Sequence, residues 1–435
     1  ITGAKADHRF KLKSSHIEVI LWKLAYRIFS HLNVPVSNEF KLGLKKGSSL
    51  PLDIPESVVD SISDDILLAS RKALLIAGPN QPPSVHALIF VINQVLKNHG
   101  NTVGYNVLPF SQSDIVKKTS LDSILGFKKD VLAGRIETLL ILGGNPVYSS
   151  PVDVGFSDLL SNLKDVIHLS QYYNHTSEYC DLVIPESHFL ESWGDLVSTD
   201  GVVSFVQPMI KRMHDSFSDI EILSMLLGKY EDDFNLVQET HGVSPLDASW
   251  KKWLHDGMKS HSEKSSVFPF KDNGFSKSFD LALNYSEISD DLEVVFVPSF
   301  SLYDGRYANN GWLQELSDPI TKLTWDNAAL INPKTAKKLF LKSEDLVDIS
   351  SLGKSIETVI FVVPGVADDV IVLTLGYGQN KIGRIGESKG FSVEKLRTSD
   401  SFYSLSGVTL IKNKGNYHLA TTQEHGSMEG RPHYR

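Results

Sequence analysis

The 435-residue sequence is short of the residues that build redox centres: it holds one cysteine, Cys180. One thiol cannot carry an iron–sulfur cluster, which takes about four, and it cannot close an internal disulfide. An excess of basic charge is also missing. Lys and Arg number 43 against 52 Asp and Glu, a net charge of −9. That excludes the usual source of nucleic-acid affinity, cations meeting phosphates, so no nucleic-acid partner is expected. No apolar run is long enough to cross a bilayer; the longest candidate, Leu67 to Val95, is interrupted by Arg71, Lys72 and a Pro/Gly-rich turn. The chain is therefore not expected to span a membrane itself. It opens at Ile1 without Met, shows no signal peptide and closes on a polar run, so it reads as a fragment or a processed product.

Hydrophobic residues make up 41% and charged residues 22%, the texture of a globular chain with more than one core. Residues 1–60 read as an N-terminal helical segment and connector: a basic opening, ADHRFKLK, an apolar helical pattern from Ile17 to Leu32, then SSLPLDIPES. Residues 61–235 alternate strands and helices. Ala73–Ala77 (ALLIA) is expected as a buried parallel strand, turned by Gly78-Pro79-Asn80 into a helix over Pro82–Lys97. Leu139–Leu142 is the next strand, stopped by Gly143-Gly144-Asn145-Pro146; Val166–Leu169 and Leu182–Ile184 follow, and Ser218–Leu227 is the last helix. Strands separated by helices imply a parallel, Rossmann-like α/β sheet covered on both faces. Residues 236–290 read as a connector with one helix around Trp250, Trp253 and Leu254. Residues 291–415 change to short β-rich runs (EVVFVPS, LVDIS, ETVIFVV, VIVLTL), a barrel-type domain. One helix, Pro333–Leu339, interrupts it, entered through Asn332. Residues 416–435 are too polar for a core and fit an extended linker.

Four stretches, taken in order, resemble the C-terminal half of molybdopterin oxidoreductases: LLILGGNPVYSSP, HLSQYYNHTSEYCDLVIPESHFLESWGD, DGVVSFVQPMIKRMHDSFSDIEIL and LTWDNAALINPKTAKKLFLKSEDLVDISS. They cover roughly residues 70 to 400. ADHRF, AGPNQPPSVHAL, GRYANNGWLQELSDPITKLTWDNAAL and TTQEHGSMEGRP are further similar to the fused iron–sulfur/molybdopterin-like subunit of bacterial alternative complex III. The resemblance implies a six-stranded double-psi barrel for residues 291–415, and a linker over 416–435 that leads toward a ferredoxin-like part.

Within that resemblance, Gly143, Gly144, Asn145 and Pro146 form the leading candidate site. A glycine turn after a buried strand lets a ligand approach the backbone, and in the family this turn helps hold a pterin guanine dinucleotide. The alternative is a plain strand-to-helix turn. Tyr172, Asn174, Thr176 and Glu178 lie in the loop where family members meet the nucleotide end; a packed loop is the competing reading, and the rings of Tyr172 and Tyr173 are expected to fill ligand space. Any vestige of the dinucleotide pocket thus rests on Gly143, Gly144, Asn145, Pro146, Asn174, Thr176 and Glu178, with no occupied cofactor expected. Cys180 is read as a small hydrophobe leading into the strand LVIP, not a molybdenum ligand. His168, His175, Glu178, Cys180, Glu186, His188 and Glu191 are ligand types without a zinc spacing, and strand alternation scatters them, so no metal site is expected. Arg306, Asn309, Asn310 and Trp312 form a polar loop, read as structural or interfacial and not as a cofactor funnel.

The resemblance implies a chain without catalytic residues of its own. It would be a cofactor-free scaffold within a quinol-oxidising complex. Iron–sulfur clusters are expected in the following ferredoxin-like part. The expected partners are a multihaem cytochrome c subunit and quinol-oxidising integral membrane subunits, at the periplasmic face of the bacterial inner membrane. The alternative is the catalytic subunit of a molybdenum or tungsten oxidoreductase of polysulfide or tetrathionate reductase type, carrying molybdopterin guanine dinucleotide. A plain dinucleotide-binding module is disfavoured, because GPNQPP replaces a GxGxxG turn after Ala77.

Overall fold

The computed structural model describes residues 2–104, 119–199, 201–259 and 291–423. Four helices open the chain: α1 (Ser14–His31), α2 (Asn38–Ser48), α3 (Glu56–Leu68) and α4 (Pro83–Val95). In α1, Leu21, Trp22, Ala25, Ile28 and Phe29 recur at helical spacing and form one buried stripe. That stripe closes against Phe40 and Leu44 of α2, Val59 of α3, and Leu88, Val91 and Ile92 of α4. The boundary expected at residue 60 is therefore not a structural one. Helix α3 runs through it, and α4 belongs to the helical lobe.

Ala73–Ala77 corrects a second expectation, since it forms no strand. The segment is extended, but its neighbour is a side chain: Asn93 accepts from Leu75 N at 3.2 Å and donates to Leu75 O at 2.9 Å. Leu75 and Ala77 pack on the helical core. Leu74 and Ile76 face outward, 51% and 76% exposed.

A parallel sheet follows helix α5 (Ser120–Leu132), in the order β1 (Thr138–Leu142), β2 (Asp165–Ser170), β3 (Leu182–Pro185). Leu139 lies opposite Val166, and Ile167 opposite Leu182. Short helices α6 (Pro146–Ser149) and α7 (Phe156–Leu160) connect β1 to β2. The core here is small: Val131, Val154 and Leu159 beside Phe127 and Phe156. Beyond it, β4 (Gly194–Val197), β5 (Val203–Val206) and β6 (Met258–Lys259) form an antiparallel sheet. This sheet packs with α8 (Asp219–Leu226), α9 (Asp233–His241) and α10 (Ala248–Asp256) through Trp193, Phe205, Phe234 and Trp250. The stretch expected as connector thus holds α9 and α10 up to residue 256; residues 260–290 lie outside the described residues.

The last lobe is a seven-stranded mixed sheet that curls into a half-barrel. Its strands are β7 (Glu293–Val297), β8 (Ala329–Ile331), β9 (Asp345–Ser351), β10 (Lys354–Val362), β11 (Val370–Thr374), β12 (Ser404–Ser406) and β13 (Thr409–Asn416). Their order is β12-β7-β11-β8-β10-β9-β13, so the count is seven where six were expected. The concave side holds Val294, Phe296, Ile331, Val347, Ile360, Ile371 and Leu373. Asn332 caps the helix Pro333–Lys338 by accepting from Thr335 N at 2.6 Å. The expected linker begins as packed chain: Tyr417 N bonds Glu344 O at 2.9 Å and Leu419 is buried. Residues 424–435 lie outside the described residues.

The N-terminal segment straps onto this barrel. Lys11 pairs with Asp368 at 2.8 Å, and Lys13 Nζ donates to Asp291 O at 2.8 Å. The buried Glu293 carboxylate of β7 accepts from Ser14 N at 2.9 Å and Ser15 Oγ at 2.7 Å, at the start of α1. Partial positive charge on a helix N-terminus makes this a favourable place for a buried carboxylate. Among the described residues, no helix is long and apolar enough to cross a membrane.

Candidate functional site

The strand β1 ends where the sequence changes from TLLIL to GGNP, and the chain turns because two residues adopt positive φ. Gly143 has φ +66° and Gly144 φ +77°, a region open to glycine at little cost. Asn145 and Pro146 then start α6. The turn sits at the C-terminal edge of the parallel sheet, the edge at which open α/β sheets form their crevices. The barrel supplies the opposite wall.

Asn174 and Thr176, both buried, come to the same turn. Asn174 Nδ2 donates to Gly144 O at 3.1 Å. Asn145 Oδ1 accepts from Thr176 N at 3.2 Å and from Thr176 Oγ1 at 2.9 Å, and Val147 N donates to Thr176 Oγ1 at 3.1 Å. Beneath them His168 is fully buried, with Nδ1 3.0 Å from Ser177 Oγ. Burial lowers its pKa, so it is a neutral ring that supports the turn. Glu186 follows β3, and its carboxylate oxygens lie 3.6 Å from where a Cβ on Gly143 would stand. Burial, with help from Asp219, pushes Glu186 up to about 7.

Four contacts cross from these loops to one barrel segment. Asn145 Nδ2 donates to Gln379 Oε1 at 3.3 Å, Tyr148 OH to Tyr377 O at 2.7 Å, and Asn380 N to His175 Nε2 at 3.4 Å; Lys381 Nζ pairs with Glu178 at 3.2 Å. The Tyr148 ring stacks on His175, and burial holds its phenol well above the usual value. Two more links lie alongside: Val152 N donates to Arg397 O at 2.9 Å, and Ser399 N donates to Asp153 Oδ1 at 2.8 Å. Sequence reasoning brought together Gly143 to Pro146 with Asn174, Thr176 and Glu178. It missed Tyr148, Tyr377, Gln379 and Lys381; the one available signal was the Gly-Tyr-Gly-Gln run just after the β11 strand pattern.

The other singled-out residues do not join the site. Tyr172 and Tyr173 are 37% and 60% exposed, so they do not fill the crevice. That expectation fails because the β2–β3 loop buries Asn174, Thr176 and Ser177 instead. Cys180 is half-buried and donates to Thr176 O at 3.1 Å; burial and Asp181 raise its thiol to about 11, far from a reactive thiolate. His188 accepts from Leu190 N, and Glu191 accepts from His188 N and Met213 N, away from the turn. No group of three His, Cys, Asp or Glu is poised for a metal among the described residues. Arg306 is spent on Asp304, Asn309 accepts from Ile385 N, Asn310 caps the short helix Gly311–Glu315, and Trp312 is 86% exposed.

Four amides of this turn are already used: Gly143 N bonds Leu169 O at 2.8 Å, Val147 N is taken by Thr176, and Tyr148 and Ser149 N bond Asn145 O. The four-residue α6 has too few aligned peptides to act as an anion-binding helix, and Glu186 brings a carboxyl group to the same turn.

Comparison with known proteins agrees with the fold. Residues 57–229 match the molybdopterin oxidoreductase family. The menaquinone reductase molybdopterin-binding-like subunit of Nitratidesulfovibrio vulgaris is 24% identical over 283 residues, covering 60% of this chain and 38% of that protein. The F420-dependent formate dehydrogenase subunit alpha of Methanocaldococcus jannaschii is 24% identical over 245 residues, covering 50% and 35%. This chain therefore spans little more than a third of the length of these relatives. Acetylene hydratase from Pelobacter acetylenicus shares the fold, with a TM-score of 0.62 at 13% identity over 88% of this chain and 66% of that one. Residues 57–229 are thus similar to the molybdopterin oxidoreductase family, and the chain has a mixed α/β fold like that of acetylene hydratase.

Proposed function

We propose that this chain is a cofactor-free, molybdopterin-oxidoreductase-like scaffold within a quinol-oxidising respiratory complex of the alternative complex III type. One observation carries the reading: the side chains of Asn145, Tyr148, His175 and Glu178, at the family's glycine turn and the neighbouring loop, are met by the chain's own barrel, through Gln379, Tyr377, Asn380 and Lys381. A buried polar group already paired inside the protein has little to gain from a ligand. The similarity to a subunit itself described as molybdopterin-binding-like, in a menaquinone reductase, supports the same reading. In this role the chain holds a cluster-bearing ferredoxin-like part against a multihaem cytochrome c subunit and the quinol-oxidising membrane subunits, at the periplasmic face of the inner membrane.

The test uses the intact complex from its native membrane. Elemental analysis is expected to find iron and no stoichiometric molybdenum or tungsten, and acid oxidation is expected to release no fluorescent pterin. Stoichiometric metal together with pterin overturns the scaffold reading, in favour of a catalytic molybdopterin guanine dinucleotide subunit.

A further inference from the structure

The barrel segment that meets the crevice is held as a rigid object. Gly376 has φ +98°, and a Cβ there would stand 2.8 Å from Gly305 N. Gly378 has φ +69°, and its Cβ would stand 2.2 Å from Ser392 N. Only glycine permits either approach, so residues 376–381 are clamped against the barrel from below. Gln379, 1% exposed, is fixed by donating Nε2 to Gly305 O at 3.0 Å and Gly376 O at 3.4 Å. Its remaining polar atom, Oε1, points at Asn145. One amide thus ties the glycine clamp to the glycine turn of β1.

We infer that Gly376–Lys381 is a built-in plug. It occupies the crevice with the chain's own peptide, excludes an anionic ligand, and makes Gln379 the positioning residue that couples the parallel-sheet lobe to the barrel. The inference rests on the scaffold reading above, and it adds the device that closes the site. The physical reason is completeness. Asn145 uses its oxygen inside its own lobe, on Thr176, and its nitrogen across the crevice, on Gln379. A side chain satisfied on both sides must lose a bond when the crevice opens, and a buried group left unpaired is costly.

That division of Asn145 supplies a clean variant. Asn145→Asp keeps the acceptor that Thr176 uses and replaces the donor with an oxygen facing Gln379 Oε1. The full chain is examined by hydrogen–deuterium exchange with mass spectrometry, in wild type and in Asn145→Asp. Exchange in the segments 143–149 and 376–381 is expected to rise together by about tenfold, the loss of one interlobe bond, while β2 and the β10 strand stay protected. Lys381→Ala, at a half-exposed position, removes the pair with Glu178 and is expected to raise exchange in 174–178 and 376–381 together by a smaller factor. Gln379→Glu keeps the acceptor for Asn145 and loses the donations to the clamp, so it is expected to loosen 376–381 more than 143–149. Exchange that rises in only one of the two lobes in Asn145→Asp and Lys381→Ala overturns the plug as a coupling device. Guanosine diphosphate added to the wild type is expected to give no calorimetric heat; binding accompanied by faster exchange in 376–381 overturns the plug as an exclusion device. Either failure is separable from that of the scaffold reading, which metal and pterin analysis decides.

Discussion

The half-barrel and the parallel sheet are both built from apolar strands, yet they bury them to different depths. In the barrel, Val294, Phe296, Ile331, Val347, Ile360 and Ile371 are essentially inaccessible and belong to one cluster. In the parallel sheet only β2 is well buried; Leu142 of β1 and Leu182 of β3 remain 41% and 50% exposed. Parallel sheets are normally covered on both faces. The comparison teaches that the barrel carries its own stability, while the three-stranded lobe leans on the contacts it makes across the crevice.

The largest effect that could break this comparison is a cavity in the barrel. Phe296→Ala is expected to cost about 3–5 kcal/mol, whereas Leu159→Ala in the small core beside Phe127 and Phe156 is expected to cost about 2 kcal/mol. Urea unfolding followed separately by tryptophan fluorescence and far-UV circular dichroism measures both. Equal losses in a single shared transition would mean that the two lobes are one cooperative unit. A middle-sized effect asks whether the helical lobe also leans on the barrel. Glu293→Ala removes the carboxylate bonded to Ser14 N and Ser15 Oγ, and is expected to cost on the order of 2 kcal/mol. A thermal melt reads it, with Glu293→Gln recovering part of the loss; an unchanged midpoint would make the helical lobe self-sufficient.

The smallest effect sharpens the picture of the sheet lobe. The folded protein holds the Glu186 proton more tightly than the unfolded chain does, with a value of about 7 against an ordinary 4.5. Its contribution is therefore most favourable below the ordinary value and is lost as pH rises through about 7. Glu186→Gln is expected to gain about 1 kcal/mol above neutrality, after allowance for solvent screening, and nothing in acid. Urea midpoints across pH check this, and identical pH slopes in the two proteins would show that Glu186 titrates as a solvated carboxyl group.

What the sequence disclosed follows the range of the interactions involved. The β1–Gly143-Gly144-Asn145-Pro146 turn and the Asn332 cap could be read directly, because strand, turn and cap are set within a few residues. Ala73–Ala77 misled, because an apolar run looks the same whether its backbone pairs with a strand or with a side chain. The deciding group, Asn93, lies on the next helix. The crevice was half legible: the residues on the sheet side carry a local pattern. Gln379 and Tyr377 lie 234 and 229 residues from their partners, and the Gly-Tyr-Gly-Gln run that carries them gives no sign of which loop it meets. The Tyr172-Tyr173 pair drew attention by size, yet Asn174 and Thr176 took the buried positions because they could pay their polar cost with local bonds.

The carboxylate that closes the start of α1 belongs to Glu293, 279 positions later in the chain. A ribosome adding roughly 5–20 residues per second exposes α1 on the order of tens of seconds before Glu293 emerges. During that interval the first helix has its amides in water and its Leu21–Phe29 stripe dependent on α2, α3 and α4 alone. The strap is thus synthesised well before the residue that fastens it, so completion of the barrel is the event that locks it in place.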